Sequence, residues 1–430
     1  MNRYENYLET GFEWIGEIPS SWELSRVGKF FTERSEKVDD VTYPPLSVTM
    51  NGIVDQLSDV AKSNDNDNRK LVKKDDFVIN SRSDRKGSSG IAPRDGSVSL
   101  INIVLAPKNI DPKYIENLFK SYYFKEEYFR NGKGIHWDVW TTRWEQFKNI
   151  NIPVPPLAEQ KLISRYLDKK TSQIDSLVDK ILKKIELLKE QRTSLINHYV
   201  TKGLDPDVEM KDSGVEWIGE IPRHWKTLRL CNFGLFSKGK NITKGDLVET
   251  GKPVILYSHL YTTYSRLVKE PKFFISDDLD VNSTKILKNT FLFTSSGESK
   301  EDIGKCILFV GSETSVGGDQ VIFELKTKCN FDPEFLSFSF NSDFCVNQKS
   351  SNSRGEIVVH IYEKQLRDVV IPIPPENEQI SIRNRLKEVE RSSDEIIRNL
   401  GHKSELLKEY RQSLISSVVT GKVRISENMI

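Results

Sequence analysis

The sequence predicts an α+β protein: two mixed α/β domains separated by two long helices that pair antiparallel as a coiled coil, with an internal pseudo-two-fold repeat. Three observations lead there. Short sequence blocks recur at fixed offsets, the segments between them differ in residues but share an order of strand and helix signals, and each recurring block carries an apolar heptad longer than one globular domain needs.

The repeat comes first. EWIGEIPSSW at 13–22 returns as EWIGEIPRHW at 216–225, with eight of ten positions identical at an offset of 203. IPVPPLAEQ at 152–160 returns as IPIPPENEQ at 371–379, and ELLKEQRTSLI at 186–196 returns as ELLKEYRQSLI at 405–415, both at an offset of 219. The helical block therefore has no length change between copies, whereas the interior is 16 residues longer in the second. This divides the chain into a first domain (1–151), a first repeat helix (152–204), a second domain (205–370) and a second repeat helix (371–430). A solenoid would instead show many short, similar units.

Residues 159–200 contain neither Gly nor Pro and are rich in Leu, Ile, Lys and Glu. Ile174, Ile181, Leu188 and Leu195 recur every seven residues, with Val178, Ile185 and Tyr199 four positions after the first, second and fourth. That is a coiled-coil seam. Pro155 and Pro156 precede it where a missing N–H does no harm, and Glu159 in the first turn suits the helix dipole. Gly203 is placed to take the left-handed terminating conformation, Leu204 to supply an apolar contact beyond it, and Pro206 to block continuation. In the second copy Leu386, Ile397, Leu400, Leu407, Leu414 and Val418 continue the pattern to Gly421. About 42 residues at roughly 1.5 Å each give a rod of about 60 Å. One such rod would expose its seam, and two in one chain can bury theirs on each other.

In the first domain, FVINS (77–81) and SVSLINIVLA (97–106) read as strands around a loop, followed by a helix over 112–129. In the second, 290–297, 305–311 and 319–326 read as strands, followed by a helix over 333–348.

Basic residues gather in the intervening loops. Residues 69–94 hold Arg69, Lys70, Lys73, Lys74, Arg82, Arg85, Lys86 and Arg94 against three acids. NGKGIHW adds Lys133 and His136, and the second domain offers Lys238, Lys240 and Lys244, then Lys349, Asn352 and Arg354. Arg and Lys can pair with phosphates or guanine edges, and Asn with adenine. For any one of these residues a solvated loop is the simpler reading; the collective pattern favours nucleic acid. Trp137, Trp140 and Trp144 can stack on or wedge between bases, although such aromatics more often anchor a core or interface.

Composition removes other classes. Hydrophobic residues are 37% of the chain, no run of about 20 uncharged apolar residues offers a membrane span, and the acid-containing N-terminus does not read as a secretory signal. Cys231, Cys306, Cys329 and Cys345 form no C-x-x-C pair, which fits a reducing cytoplasm. The six histidines show no metal-ligand spacing. A net charge of +1 argues neither way, since basic faces can be balanced by acidic helices. No P-loop, no Asn/Asp-Pro-Pro-Tyr run and no compact nuclease constellation is present in the sequence.

The order of variable domain, IPxPPxxEQ and long helix, given twice, resembles the specificity (S) subunit of type I restriction–modification systems over essentially the whole chain. The two EWIGEIPxxW openings and the doubled boundary (Pro155, Pro156, Glu159, Gln160; Pro374, Pro375, Glu378, Gln379) carry the likeness. The resemblance implies that each variable part is a target recognition domain for half of an asymmetric, split DNA sequence. The helices would be spacers that also dock two methyltransferase subunits, with restriction/translocase subunits joining the full complex. It further implies a non-catalytic chain without a cofactor of its own, the methyltransferase partner using S-adenosylmethionine and the motor partner ATP and Mg. A stand-alone DNA-binding regulator would bind DNA tightly without a methyltransferase, an enzyme of unrecognised type would act as a single pure chain, and a protein scaffold would have no salt-sensitive DNA affinity.

Overall fold

The computed structural model describes residues 3–57, 68–134, 140–240, 242–297, 299, 303–353 and 359–430. The chain forms two compact units: residues 1–183 with 400–430, and residues 184–399. Each unit holds one variable domain and a portion of both long helices, Leu157–Lys202 and Glu376–Val419.

In the first unit the central antiparallel sheet runs in the order Ser89–Ile91, Phe77–Asn80, Asn102–Pro107, Phe31–Glu33, beside a smaller sheet of Gly96–Val98, Arg69–Val72 and Lys37–Val38. Helices Pro112–Lys120 and Tyr122–Arg130 cover the central sheet, and Phe77, Tyr114, Phe119, Phe124, Tyr128 and Phe147 form a closed aromatic core. The second unit has two five-stranded sheets. The one under helices Pro333–Phe340 and Asp343–Asn352 runs Gly234–Lys238, Gln320–Leu325, Thr290–Thr294, Cys306–Phe309, Leu267–Val268. The other is built from Leu247–Val248, Phe273–Ile275, Lys252–Ile255, Glu313–Val316 and Thr284–Leu287; its antiparallel pair Thr284–Leu287 and Glu313–Val316 corresponds to Arg69–Val72 and Gly96–Val98 of the first unit's smaller sheet.

Some expected elements divide. The strand read over 97–106 is two strands with a turn at 99–101, and the helix read over 112–129 breaks at Ser121, whose hydroxyl caps the second piece. The helix read over 333–348 likewise breaks around Asn341. Leu204 remains 43% exposed and provides no apolar lock, whereas Gly203 and Gly421 do adopt φ of +79° and +77°. All four cysteines are free thiols.

The recurring motifs form the same joint twice. Strand Glu23–Arg26 pairs with Asn151–Val154, and Lys226–Arg229 with Val370–Ile373, in the same register once the two offsets are applied. Trp22 Nε1 donates to Glu159 Oε2 (3.1 Å), and Trp225 Nε1 to Glu378 Oε2 (2.9 Å). Gln160 Nε2 donates to the Pro155 carbonyl (2.8 Å) while its Oε1 accepts from the Asp111 N–H (2.8 Å). Gln379 does the same with Pro374 and Asp332, at 2.9 Å each. Asp111 and Asp332 are the N-caps of the domain helices, with proline at the next position. Each PPxxEQ motif thus ties the start of a long helix to its preceding domain. Each terminal glycine closes the opposite end, Gly203 against Trp225 and Gly421 against Pro19 and Trp22.

Within each unit the two long helices run antiparallel. In the first, Arg165 meets Glu427 in the segment just past the second helix and, ten residues on, Asp175 meets Arg411 of that helix (2.8 Å). In the second, Arg192 meets Asp394 (2.5 Å), and Val200 shares a core with Leu386 and Ile382. Arg192 and Arg411 occupy the same repeat position, as do Asp175 and Asp394, so one ion pair is built twice. Of the expected seam residues, Ile174, Ile181 and Leu414 are buried, and Val178, Ile185, Leu188, Leu195, Ile397, Leu400 and Leu407 are half-buried among exposed neighbours. Ser404 sits buried at a seam position, and its hydroxyl has no hydrogen-bond partner among the described residues.

Candidate nucleic-acid interface

Strand Phe77–Asn80 delivers the chain into a loop at 81–88, and helix Tyr122–Arg130 delivers it into a second segment, 131–143. Backbone pairing brings the two together: Arg82 and Lys133 both bridge to Thr141, and the Thr142 N–H donates to the Ser81 carbonyl (2.9 Å). The 99–101 turn joins them, because the Ser81 hydroxyl donates to the Ile101 carbonyl (2.5 Å). Arg82, Arg85, Lys86 and Lys133 therefore share one surface and are exposed. Arg82 and Arg85 flank Asp84, and Lys86 pairs with Glu126 (2.6 Å) over the Phe129 ring. Leu100 and Ile101, 39% and 42% exposed, add an apolar element to this surface that no charge pattern signalled.

The remaining basic residues of 69–94 lie elsewhere. Arg69 and Lys70 are strand residues rather than loop residues. Arg69 is 8% exposed and donates to the Ser97 hydroxyl (2.8 Å) and carbonyl, and Lys70 donates to the Asn102 carbonyl (2.9 Å) and pairs with Glu33. Burial holds the Arg69 guanidinium below its ordinary pKa. Lys73 and Lys74 are exposed on the turn at the far end of strand 77–80 from Arg82, and Arg94, paired with Asp55 (2.5 Å), lies toward that end too. His136 and Trp137 fall outside the described residues. Trp140 is half-buried, and Trp144 is half-buried against the aromatic core, as an anchor.

The second domain assembles the corresponding segments. The Ile361 N–H donates to the Ser295 carbonyl (2.9 Å), and Ser296–Gly297 pairs with Val359–His360. Ser296 Oγ lies 3.0 Å from His360 Nδ1, the Tyr362 ring stacks on His360, and Lys238 Nζ sits 5.7 Å from the Tyr362 ring centroid. His360 and Tyr362 were not legible as site residues, since only this fold brings them beside Lys238. Lys240, Lys244 and Asn352 are exposed, and Arg354 lies outside the described residues. Lys349 corrects the expectation: it is fully buried, with its ammonium donating to the Gly304 (2.6 Å) and Phe340 (2.9 Å) carbonyls, and it holds the fold beneath the loop instead of facing solvent. Among the described residues no group of three His, Cys, Asp or Glu side chains is arranged to hold a metal, and no helix is long and apolar enough to cross a membrane.

The sequence matches the family described as the type I restriction modification DNA specificity domain over residues 19–187 and again over 222–406. The chain belongs to that family. Among specificity subunits, it is 24% identical to that of the type I restriction enzyme MjaVIII from Methanocaldococcus jannaschii, covering 95% of this chain and 94% of the relative. It is also 24% identical to the EcoKI specificity subunit of Escherichia coli strain K12, over 64% of this chain and 58% of that one. Of solved structures, one concerning complex assembly and conformational transition of the type I R-M system aligns with a TM-score of 0.71 at 13% identity, covering 94% of this chain and 99% of that one. The HsdS subunit from Thermoanaerobacter tengcongensis aligns with a TM-score of 0.54 at 15% identity, covering 96% and 100%. As a specificity subunit, the chain is a DNA-recognition component, and both matched segments end within long helices.

Proposed function

We propose that each variable domain reads one half of an asymmetric, bipartite duplex site through its paired loops, and that the long helices set the unread gap and dock two methyltransferase subunits. The observation that carries this reading is the reuse of one loop arrangement with different residues: Arg82, Arg85, Lys86 and Lys133 in one domain, His360 and Tyr362 beside the strand-end Lys238 in the other. Base edges in the major groove are distinguished by such side chains, so different residues on one frame mean different half-sequences. Two-fold docking is supported by apolar residues outside the seam. Leu177 and Leu406 of the first unit, and Ile396 and Leu187 of the second, occupy equivalent repeat positions and are 40–54% exposed. DNA cleavage would belong to further subunits, with S-adenosylmethionine, ATP and Mg serving the partners.

The test is single-molecule methylation sequencing of DNA from cells expressing this chain with its neighbouring methyltransferase. A split, asymmetric motif that disappears when this chain is deleted is the expected result. No new motif, with the partner active and bound, would overturn the reading. Spacing is tested separately. Because the helices are locked by paired ion pairs, a heptad inserted after Lys183 needs a matching heptad after His402 to preserve register. Seven residues add about 10 Å, or roughly three base pairs, to the gap and leave both half-sequences unchanged.

A further inference from the structure

A groove of about 630 Å³ in the first unit lies beside the 81–88 loop and is lined by Asn51, Gly87, Lys120, Lys125, Lys408 and Arg411. Its cations come from the domain helices and from the second long helix. Three have partners within the fold: Lys120 with Glu116 (2.8 Å), Lys408 with Glu405 (2.8 Å) and Arg411 with Asp175 (2.8 Å). Lys125 makes no ion pair among the described residues, and the neighbouring Glu126 is engaged by Lys86. Lys125 is half-buried, and burial together with the Lys86 ammonium holds its pKa below the ordinary lysine value. Its stem runs over Gly87, where an added Cβ would come within 3.1 Å of Lys125 Cδ and where φ is +83°. A glycine in the candidate recognition loop thus leaves room for this lysine.

We propose that this groove is a phosphate-backbone site, in which Lys125 is the principal contact to a duplex phosphodiester as the strand leaves the half-site read by the first domain. An uncompensated ammonium among already paired cations is stabilised by an anion, and the groove is continuous through Gly87 with the loop bearing Arg82 and Lys86. Asn51, Asn117 and Gln412 on its walls can donate to phosphate oxygens. The inference rests on the DNA-reading proposal above. It adds a contact that supplies affinity without sequence information.

The experiment measures binding of the full chain with its methyltransferase to two duplexes, one carrying the methylated motif and one scrambled, across 50–200 mM salt. Each phosphate contact contributes about 0.9 to the slope of log affinity against log salt. Lys125→Gln should lower that slope by about one, weaken both duplexes by a similar factor of roughly eight at 0.1 M salt, and leave the methylated motif unchanged. Lys125→Arg should restore most of the loss. An unchanged slope with intact secondary structure overturns the inference, and so does a changed motif, which would make Lys125 a base reader. A wild-type complex that shows no salt-dependent preference for the motif refutes the underlying DNA reading instead.

Discussion

Replacing Gln379 with leucine tests whether the PPxxEQ motif is a joint rather than a signature. Gln379 is 1% exposed, and its carboxamide satisfies both the Asp332 N–H and the Pro374 carbonyl. Leucine fills similar volume but leaves two backbone groups buried without partners, each costing about 1–3 kcal/mol. The added apolar burial offsets about 1–2 kcal/mol, so the net loss is on the order of 3 kcal/mol. For a unit of this size that corresponds to a fall in Tm of roughly 6–12 °C. Differential scanning calorimetry is the suitable assay, because two units need not melt as one. Gln379→Leu should lower the transition of the second unit, and Gln160→Leu that of the first. Gln173→Leu, on an exposed face of the first long helix, should stay within about 0.5 kcal/mol of wild type. A Gln379→Leu protein melting within a degree of wild type would refute the argument, as would one in which only the first unit softened.

Ser404→Ala removes a buried hydroxyl without a partner among the described residues and favours helix, so it should raise the first unit's Tm by about 2–4 °C, a gain of about 1 kcal/mol; a lower Tm would mean that the hydroxyl is satisfied. His259 is buried against Phe273, with Nδ1 accepting from the Leu256 N–H, and burial, with a smaller contribution from Lys244, pushes its pKa down to about 4. The imidazole is neutral in the fold and charges more readily when unfolded, so its stabilisation is complete above about pH 6.5 and is lost as pH falls toward 4. Denaturant unfolding should show that the wild-type second unit loses on the order of 3 kcal/mol more than a His259→Gln variant between pH 7 and 4; equal pH profiles would refute this.

The repeat, the long helices and their seam were legible because period and identity survive in sequence: residues seven apart must meet one surface, and Gln160 and Gln379 must answer the same two backbone groups. The ion pairs Arg192–Asp394 and Arg411–Asp175 were within reach of the same comparison, since all four residues recur, but a search restricted to apolar positions passes over them. The basic surface was only half legible. Counting charge along 69–94 cannot distinguish Arg82, at one end of a strand, from Lys73 at the other, nor detect that Arg69 is spent on Ser97. Lys349 shows the same limit: its neighbours in sequence are polar, whereas its neighbours in space are Gly304, Phe340 and Phe293.

The second unit is one uninterrupted stretch of chain, 184–399, whereas the first needs 400–430. Tyr114 places its hydroxyl 3.1 Å from the Val419 carbonyl across 305 positions, and Val423 and Ile425 close the first hydrophobic core. During synthesis the second unit therefore has all its parts while the first, though begun earlier, still lacks a wall. The first unit's hydrophobic core stays partly open until residues 414–425 are available to it. A released chain truncated after residue 399 should carry a protease-resistant second unit and a susceptible first one, the reverse of the order in which they are translated.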